Sequence, residues 1–170
     1  MDTRIFLIGF MGSGKSTLGA QLARRVGYQF IDMDHLIEET AEMSIAEIFK
    51  EHGEEVFRKW EYEILHELCS REKLVISTGG GAPCHSNMMD LMSSHGTTIY
   101  LKLSPEALNT RLIQSSAERP LIMGKSEPEL LEFIKSLLEK RELFYKRAAY
   151  IVDGINMKPE ALANLLQFPD

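Results

Sequence analysis

Cysteine, basic charge and long apolar runs are all scarce in this chain, and each scarcity excludes something. Of the 170 residues only two are cysteine, Cys69 and Cys84, in unrelated contexts and without the spacing of a metal site. That disfavours a disulfide framework, and a reducing compartment is the expectation. The first apolar run, Ile5–Ile8, is cut by Gly9. It is too short for a signal-peptide core and far short of a membrane span, so the chain reads as soluble and cytoplasmic. Nineteen Lys and Arg stand against twenty-five Asp and Glu, a net charge of −6. A sequence-blind nucleic-acid binder needs a cationic face to displace counterions, which disfavours that class. An anionic ligand would have to be drawn in by a few local cations against the overall field. Repeats and low-complexity tracts are absent too, and 44% hydrophobic with 26% charged residues is ordinary for a globular domain. One compact unit spanning residues 1–170 is expected.

Short apolar strands alternate with amphipathic stretches, the pattern of a parallel sheet covered by helices. Ile5–Ile8, Leu74–Ser77 and Thr98–Leu103 are the clearest strands; Gln29–Ile31 and Tyr150–Val152 are weaker ones. Ser44-Ile45-Ala46-Glu47 and Ser126-Glu127-Pro128-Glu129 have the spacing of capping boxes. Ser104-Pro105-Glu106 places a proline where a first helical turn tolerates it, and Glu160–Asp170 reads as a closing helix. Two segments interrupt the alternation. Ser115–Lys125 is polar, contains Arg119-Pro120 and Gly124, and on its own reads as a plain loop. Thr78–Pro83 carries three consecutive glycines directly after a strand, which suits a chain that must bend sharply or approach something closely.

Gly9-Phe10-Met11-Gly12-Ser13-Gly14-Lys15-Ser16 matches the phosphate-loop pattern G-x-x-x-x-G-K-[ST]. It follows an apolar strand and opens a helix with periodic Leu18, Leu22, Ala23 and Val26, the context such a loop requires. Glycines let backbone N–H groups turn in around phosphate oxygens, and the helix N-terminus adds its dipole. Lys15 then reaches the β and γ phosphates, and the Ser16 hydroxyl serves Mg²⁺. The Asn-Lys-x-Asp element of a GTPase is missing. After the second strand comes Phe30-Ile31-Asp32-Met33-Asp34. Taken alone the pair reads as the Asp-decorated N-terminus of a helix; beside a phosphate loop the preferred reading is alternation along an extended segment, with both carboxylates on one side facing the ligand crevice. One suits the metal's hydration shell and the other can take a proton from a hydroxyl nucleophile.

Along Glu54–Ser70, residues Val56, Phe57, Trp60, Ile64 and Leu68 share a helical face. Glu61 falls inside that face and Arg58 at its border, three residues away. Arg58 either forms a structural ion pair with Glu61 or presents its fork to a ligand carboxylate. Arg141 sits on a long charged helix and by itself reads as a solvated surface residue. Trp60 and the cluster Met88, Met89, Leu91 and Met92 read as core, and the five histidines have no metal-ligand spacing.

From Ile5 to about Pro159 the chain resembles the shikimate kinase family. The resemblance rests on Gly-Phe-Met-Gly-Ser-Gly-Lys-Ser-Thr (9–17), Phe-Ile-Asp-Met-Asp (30–34), Phe-Arg-Lys-Trp-Glu (57–61), Ser-Thr-Gly-Gly-Gly-Ala (77–82), Glu-Arg-Pro-Leu (118–121) and Arg-Glu-Leu-Phe-Tyr (141–145). It implies a three-layer α/β phosphate-loop fold of the nucleoside-monophosphate-kinase type, with a five-stranded parallel sheet, a substrate-binding region at about 32–61 and a lid at about 112–125. The implied activity is ATP-dependent phosphorylation of the 3-hydroxyl of shikimate, a step of chorismate and aromatic amino-acid biosynthesis, by a monomer. By the same resemblance Gly12, Ser13, Gly14, Lys15, Ser16, Thr17 and Arg119 bind ATP. Asp34 holds and activates the 3-hydroxyl, while Arg58, Arg141 and the turn Gly79, Gly80 and Gly81 receive the acid. Ser16 and Asp32 serve Mg²⁺, the latter through water, and Lys15, Asp34 and Arg119 are the catalytic set. Arg111 and the Asn156–Pro159 loop are implied near the adenine. The family lacks the usual aspartate on the second phosphate-loop strand, and Val75–Gly79 has none.

Overall fold

In the first strand, β1 (Arg4–Ile8), Ile5 and Leu7 point to one side and Phe6 and Ile8 to the other, and all four are at most 1% exposed. A strand apolar on both faces needs cover on both, which is how a parallel sheet inside an α/β layer structure reads. The computed structural model describes residues 4–115 and 120–168. Among these, β1 joins β2 (Gln29–Asp32), β3 (Leu74–Ser77), β4 (Thr97–Lys102) and β5 (Tyr150–Asp153) in one sheet of order β2-β3-β1-β4-β5. Every neighbouring pair is parallel, with Phe6 opposite both Ile76 and Thr98. Both weaker strands expected from sequence are therefore present, at the two edges.

The helices that cross between strands form the outer layers. On the Ile5/Leu7 face lie α1 (Lys15–Val26), through Leu18, Leu22 and Ala23, and α7 (Pro159–Leu165), through Leu162 and Ala163. The Phe6/Ile8 face is covered by the C-terminal half of α3 (Ile45–Leu68) and by α4 (Met88–His95), α5 (Pro105–Gln114) and α6 (Glu127–Tyr145). Met88, Met89 and Met92 are buried there, as expected of core methionines. A satellite core of Ile37, Ile48 and Phe57 joins α2 (Met33–Ala41) to α3, and Trp60 lies only half-buried at its edge.

Helix starts follow the capping signals. Ser44 and Ser126 both form full capping boxes, with Glu47 and Glu129, and Ser104 accepts from the Ala107 N–H. Gly53 breaks α3 with φ 81°, so the amphipathic stretch read from Glu54 is the second arm of a kinked helix. The segment after α5 ends in a short 3₁₀ turn, Pro120–Ile122. Among the described residues no helix is long and apolar enough to cross a membrane. The crevice that results opens beyond the carboxyl ends of β1, β2 and β3.

Candidate active site

The loop between β1 and α1 bends at Gly12 (φ 79°) and Gly14 (φ 96°), a left-handed backbone that a side chain would resist. Ser13 between them is buried. Lys15, the first residue of α1, folds back over the loop, where its Nζ donates to the carbonyls of Gly9 (2.8 Å) and Phe10 (2.9 Å). Ser16 and Thr17 are exposed on the first turn of the helix, at the mouth of the crevice. Arg111, from α5, donates to the loop carbonyls of Ser13 (3.0 Å) and Gly12 (3.4 Å) and also to Gly154 (3.4 Å). It thus ties the phosphate loop to the chain leaving β5.

Asp32 and Asp34 do not alternate along one extended segment, as expected from sequence. β2 stops at Asp32 and α2 begins at Met33, so Asp34 sits in a first helical turn. Asp32 is the N-cap, and its Oδ1 accepts from the N–H groups of Asp34 (3.1 Å) and His35 (3.3 Å). A short polar side chain before an apolar-periodic stretch stabilises a helix start more than one further strand residue would. The outcome still brings both carboxylates to the crevice. Asp32 Oδ2 accepts from the Ser16 hydroxyl at 2.5 Å, and Ser77 Oγ lies 3.4 Å from the same hydroxyl. Ser77 ends β3 where a phosphate-loop protein more often carries an aspartate, so the carboxylate beside Ser16 comes from β2 instead. The Asp34 carboxyl is held above its usual range by burial and by the Asp32 charge, with Lys15 opposing.

The glycine turn after β3 is lined on its open side by four charged side chains. A Cβ at Gly79 would lie 2.8 Å from Asp34 Oδ1 and 3.0 Å from Glu61 Oε1. At Gly80 it would lie 3.0 Å from Arg141 Nη1, and at Gly81 2.7 Å from Arg58 Nη2. Three glycines in a row are what this close approach requires. Arg58 donates through Nη1 to Glu61 Oε2 at 2.7 Å and through Nη2 to Glu54 at 3.4 Å, and stands over the Phe57 ring. Burial pushes the Glu61 carboxyl up to about 7 despite the Arg58 charge. The Arg141 guanidinium lies over the Phe10 ring of the phosphate loop. It is half-buried, contrary to the surface position its charged neighbours suggest, because α6 packs its last turns against the glycine turn. Among the described residues, Arg58 Nε and Arg141 Nη1 are buried and find no acceptor.

Arg119, expected to reach in from the lid, lies outside the described residues, as does 116–118. Among the described residues no group of three or more His, Cys, Asp or Glu could hold a metal ion. Both cysteines are free, and burial pushes the Cys84 thiol up to about 11, far from a reactive thiolate. Sequence reasoning missed Ser77, the Phe10 ring under Arg141, and Tyr145, whose hydroxyl donates to the Gly80 carbonyl. Only the last had a signal available: Tyr145 lies one helical turn beyond Arg141 and so shares its face.

The chain is similar in sequence and in fold to known proteins. The shikimate kinase family pattern matches residues 11–168. The shikimate kinase of Parabacteroides distasonis is 46% identical over 158 residues, covering 93% of this chain and 91% of that protein. The solved shikimate kinase of Bacteroides thetaiotaomicron superposes with a TM-score of 0.93 at 42% identity, over 97% of this chain and 98% of that one. That of Acinetobacter baumannii, solved in complex with shikimate, gives 0.83 at 32% identity, over 96% and 90%. With nearly its whole length matched in sequence and in fold, this kinase belongs to the shikimate kinase family.

Proposed function

We propose that the protein transfers the γ-phosphoryl group of ATP to the 3-hydroxyl of shikimate, giving shikimate 3-phosphate and ADP on the route to chorismate and the aromatic amino acids. The observation that carries this reading is the pair of guanidiniums over the glycine turn, each with a buried N–H lacking an acceptor, next to a crevice carboxylate. Buried cationic donors without partners are costly, and a planar carboxylate satisfies two forks at once. The acid end of the acceptor is therefore assigned to Arg58, Arg141 and Gly79–Gly81. Asp34 then meets an alcohol on the side facing the phosphate loop.

Gly12, Ser13, Gly14, Lys15, Ser16 and Thr17 take the triphosphate. As the 3-oxygen attacks the γ-phosphorus, its proton passes to Asp34, the new O–P bond forms, and the bond to the bridging β–γ oxygen breaks. A carboxyl lifted by burial holds that proton better than an ordinary aspartate does. Lys15 and Arg119 balance the charge that spreads over the equatorial oxygens. The lid expected at about 112–125, which includes Arg119, would exclude water over the substrate-binding region at about 32–61. Arg111 and the Asn156–Pro159 loop border the adenine.

Ser16 and Asp32 fit Mg²⁺. The Ser16 hydroxyl and the Asp32 carboxylate stand side by side, two hard oxygen donors of the kind this ion takes. Held by Ser16 and Asp32, Mg²⁺ would supply positive charge against the triphosphate. The net charge of −6 supports small-molecule partners rather than nucleic acid, and the protein acts as a cytoplasmic monomer. An ADP-release assay with Mg²⁺ and ATP, offering shikimate, gluconate and AMP separately, tests the reading. Only shikimate is expected to release ADP; turnover of gluconate or AMP in its place overturns it.

A further inference from the structure

Two of the three carbonyls in the glycine turn are taken locally. Gly79 accepts from the Ala82 N–H at 3.1 Å and Gly81 from the Cys84 N–H at 3.0 Å. The middle one, Gly80, would pair with residue 83, but Pro83 has no N–H, so it accepts instead from the Tyr145 hydroxyl, 65 residues on. Glycine peptides rotate at little cost, so a fixed carbonyl here matters. Because a trans peptide is planar, holding the Gly80 carbonyl also sets the opposite direction of the Gly81 N–H.

Tyr145 is itself well held. It is fully buried, its ring packs against Tyr100 with centroids 5.0 Å apart, and the Tyr100 hydroxyl donates to Glu142 on α6 at 2.9 Å. Burial also pushes the Tyr145 phenol above its ordinary range, with Arg141 only partly opposing, so the hydroxyl keeps its proton. One turn earlier on the same helix face stands Arg141, whose Nη1 lies against Gly80.

We propose that Tyr145 is a positioning residue for the acid-binding side of the crevice: its hydroxyl locks the Gly80–Gly81 peptide and couples that peptide to the helix that carries Arg141. This rests on the acceptor assignment made above, and it extends that assignment to a residue that touches no reacting atom. Removing the hydroxyl frees the peptide and blurs the acid's binding geometry while leaving the phosphate loop alone.

Tyr145→Phe tests this, because it keeps the ring and removes only the hydroxyl, whose partners are the Gly80 carbonyl and the Arg141 side chain on the same helix. The KM for shikimate is expected to rise about tenfold, the loss of one buried hydrogen bond, with kcat and the KM for ATP within about twofold of wild type. Tyr100→Phe is the control. It removes a buried hydroxyl bond from the same helix without touching the turn, and its shikimate KM is expected to stay at the wild-type value. An unchanged shikimate KM in Tyr145→Phe, a parallel rise in both KM values, or an equal rise in Tyr100→Phe overturns the proposal. Amide exchange of Gly81 in the ligand-free protein reads the lock without any acceptor. It is expected to quicken about tenfold in Tyr145→Phe with α1 unchanged; unaltered exchange overturns the proposal. Failure of the wild type to phosphorylate shikimate would instead remove the assigned substrate, and Gly81 exchange would still decide the lock.

Discussion

Arg58 and Glu61 stand one turn apart on α3, joined Nη1 to Oε2 at 2.7 Å, with the glutamate side chain only 1% exposed. The pair leaves Arg58 Nη2 lying over Gly81. Glu61 therefore holds the arginine where an acid can meet it, and it does so from a site where its own charge is disfavoured. Its carboxyl, pushed up to about 7 chiefly by burial, binds its proton more tightly folded than unfolded. Its stabilising contribution is complete below the unfolded value near 4.5 and is lost as pH rises to about 7. In urea titrations the wild type should lose roughly 3 kcal/mol relative to Glu61→Gln across that window, and nothing further above it. A stability difference between the two proteins that does not vary with pH would contradict this.

Asp34→Asn keeps the shape of the carboxyl group and removes its capacity to take a proton. Turnover should fall by about 10²–10⁴ with the KM for ATP little changed, measured by coupled ADP release. Near-wild-type turnover would take Asp34 out of the chemistry.

The two arginines should behave alike. With the acid assigned to them as proposed, Arg58→Ala and Arg141→Ala would each delete a charge-assisted contact worth about 1.5–3 kcal/mol, so the shikimate KM should rise about 10- to 100-fold. ATP binding, followed by nucleotide titration, should be close to wild type. An unaltered shikimate KM in Arg58→Ala would leave that residue only its ion pair.

The glycines separate the two sides of the site. Gly79→Ala places a methyl 2.8 Å from Asp34 Oδ1 and should depress kcat, because it displaces the carboxylate proposed as the base. Gly81→Ala places one 2.7 Å from Arg58 Nη2 and should act on the shikimate KM. Steady-state kinetics on the two variants would show the same defect if the turn were merely a tight bend.

Much of this site was legible before any coordinates. The phosphate loop announced itself through glycine spacing between a strand and a helix, and the capping boxes at Ser44 and Ser126 stand where their spacing put them. Asp32 and Asp34 do not follow the two-residue period preferred beside a phosphate loop; the other reading of the pair, a helix N-terminus, is the one the structure adopts. Arg141 was misleading by itself, since a charged helical neighbourhood looks the same from the sequence whether a face meets solvent or a glycine turn.

Local patterns alone determined the strands, the helix starts, the phosphate loop and the chemical kinds of side chain available. These depend on residues a few positions apart, and short-range sterics and hydrogen bonding decide them. Which guanidinium lies over which glycine, that Ser77 and Asp32 converge on Ser16, and that Tyr145 satisfies Gly80 were decided only by the tertiary structure. Those contacts join segments dozens of residues apart, and the packing of helices onto a twisted sheet sets them through core volume and burial, which no local spacing encodes.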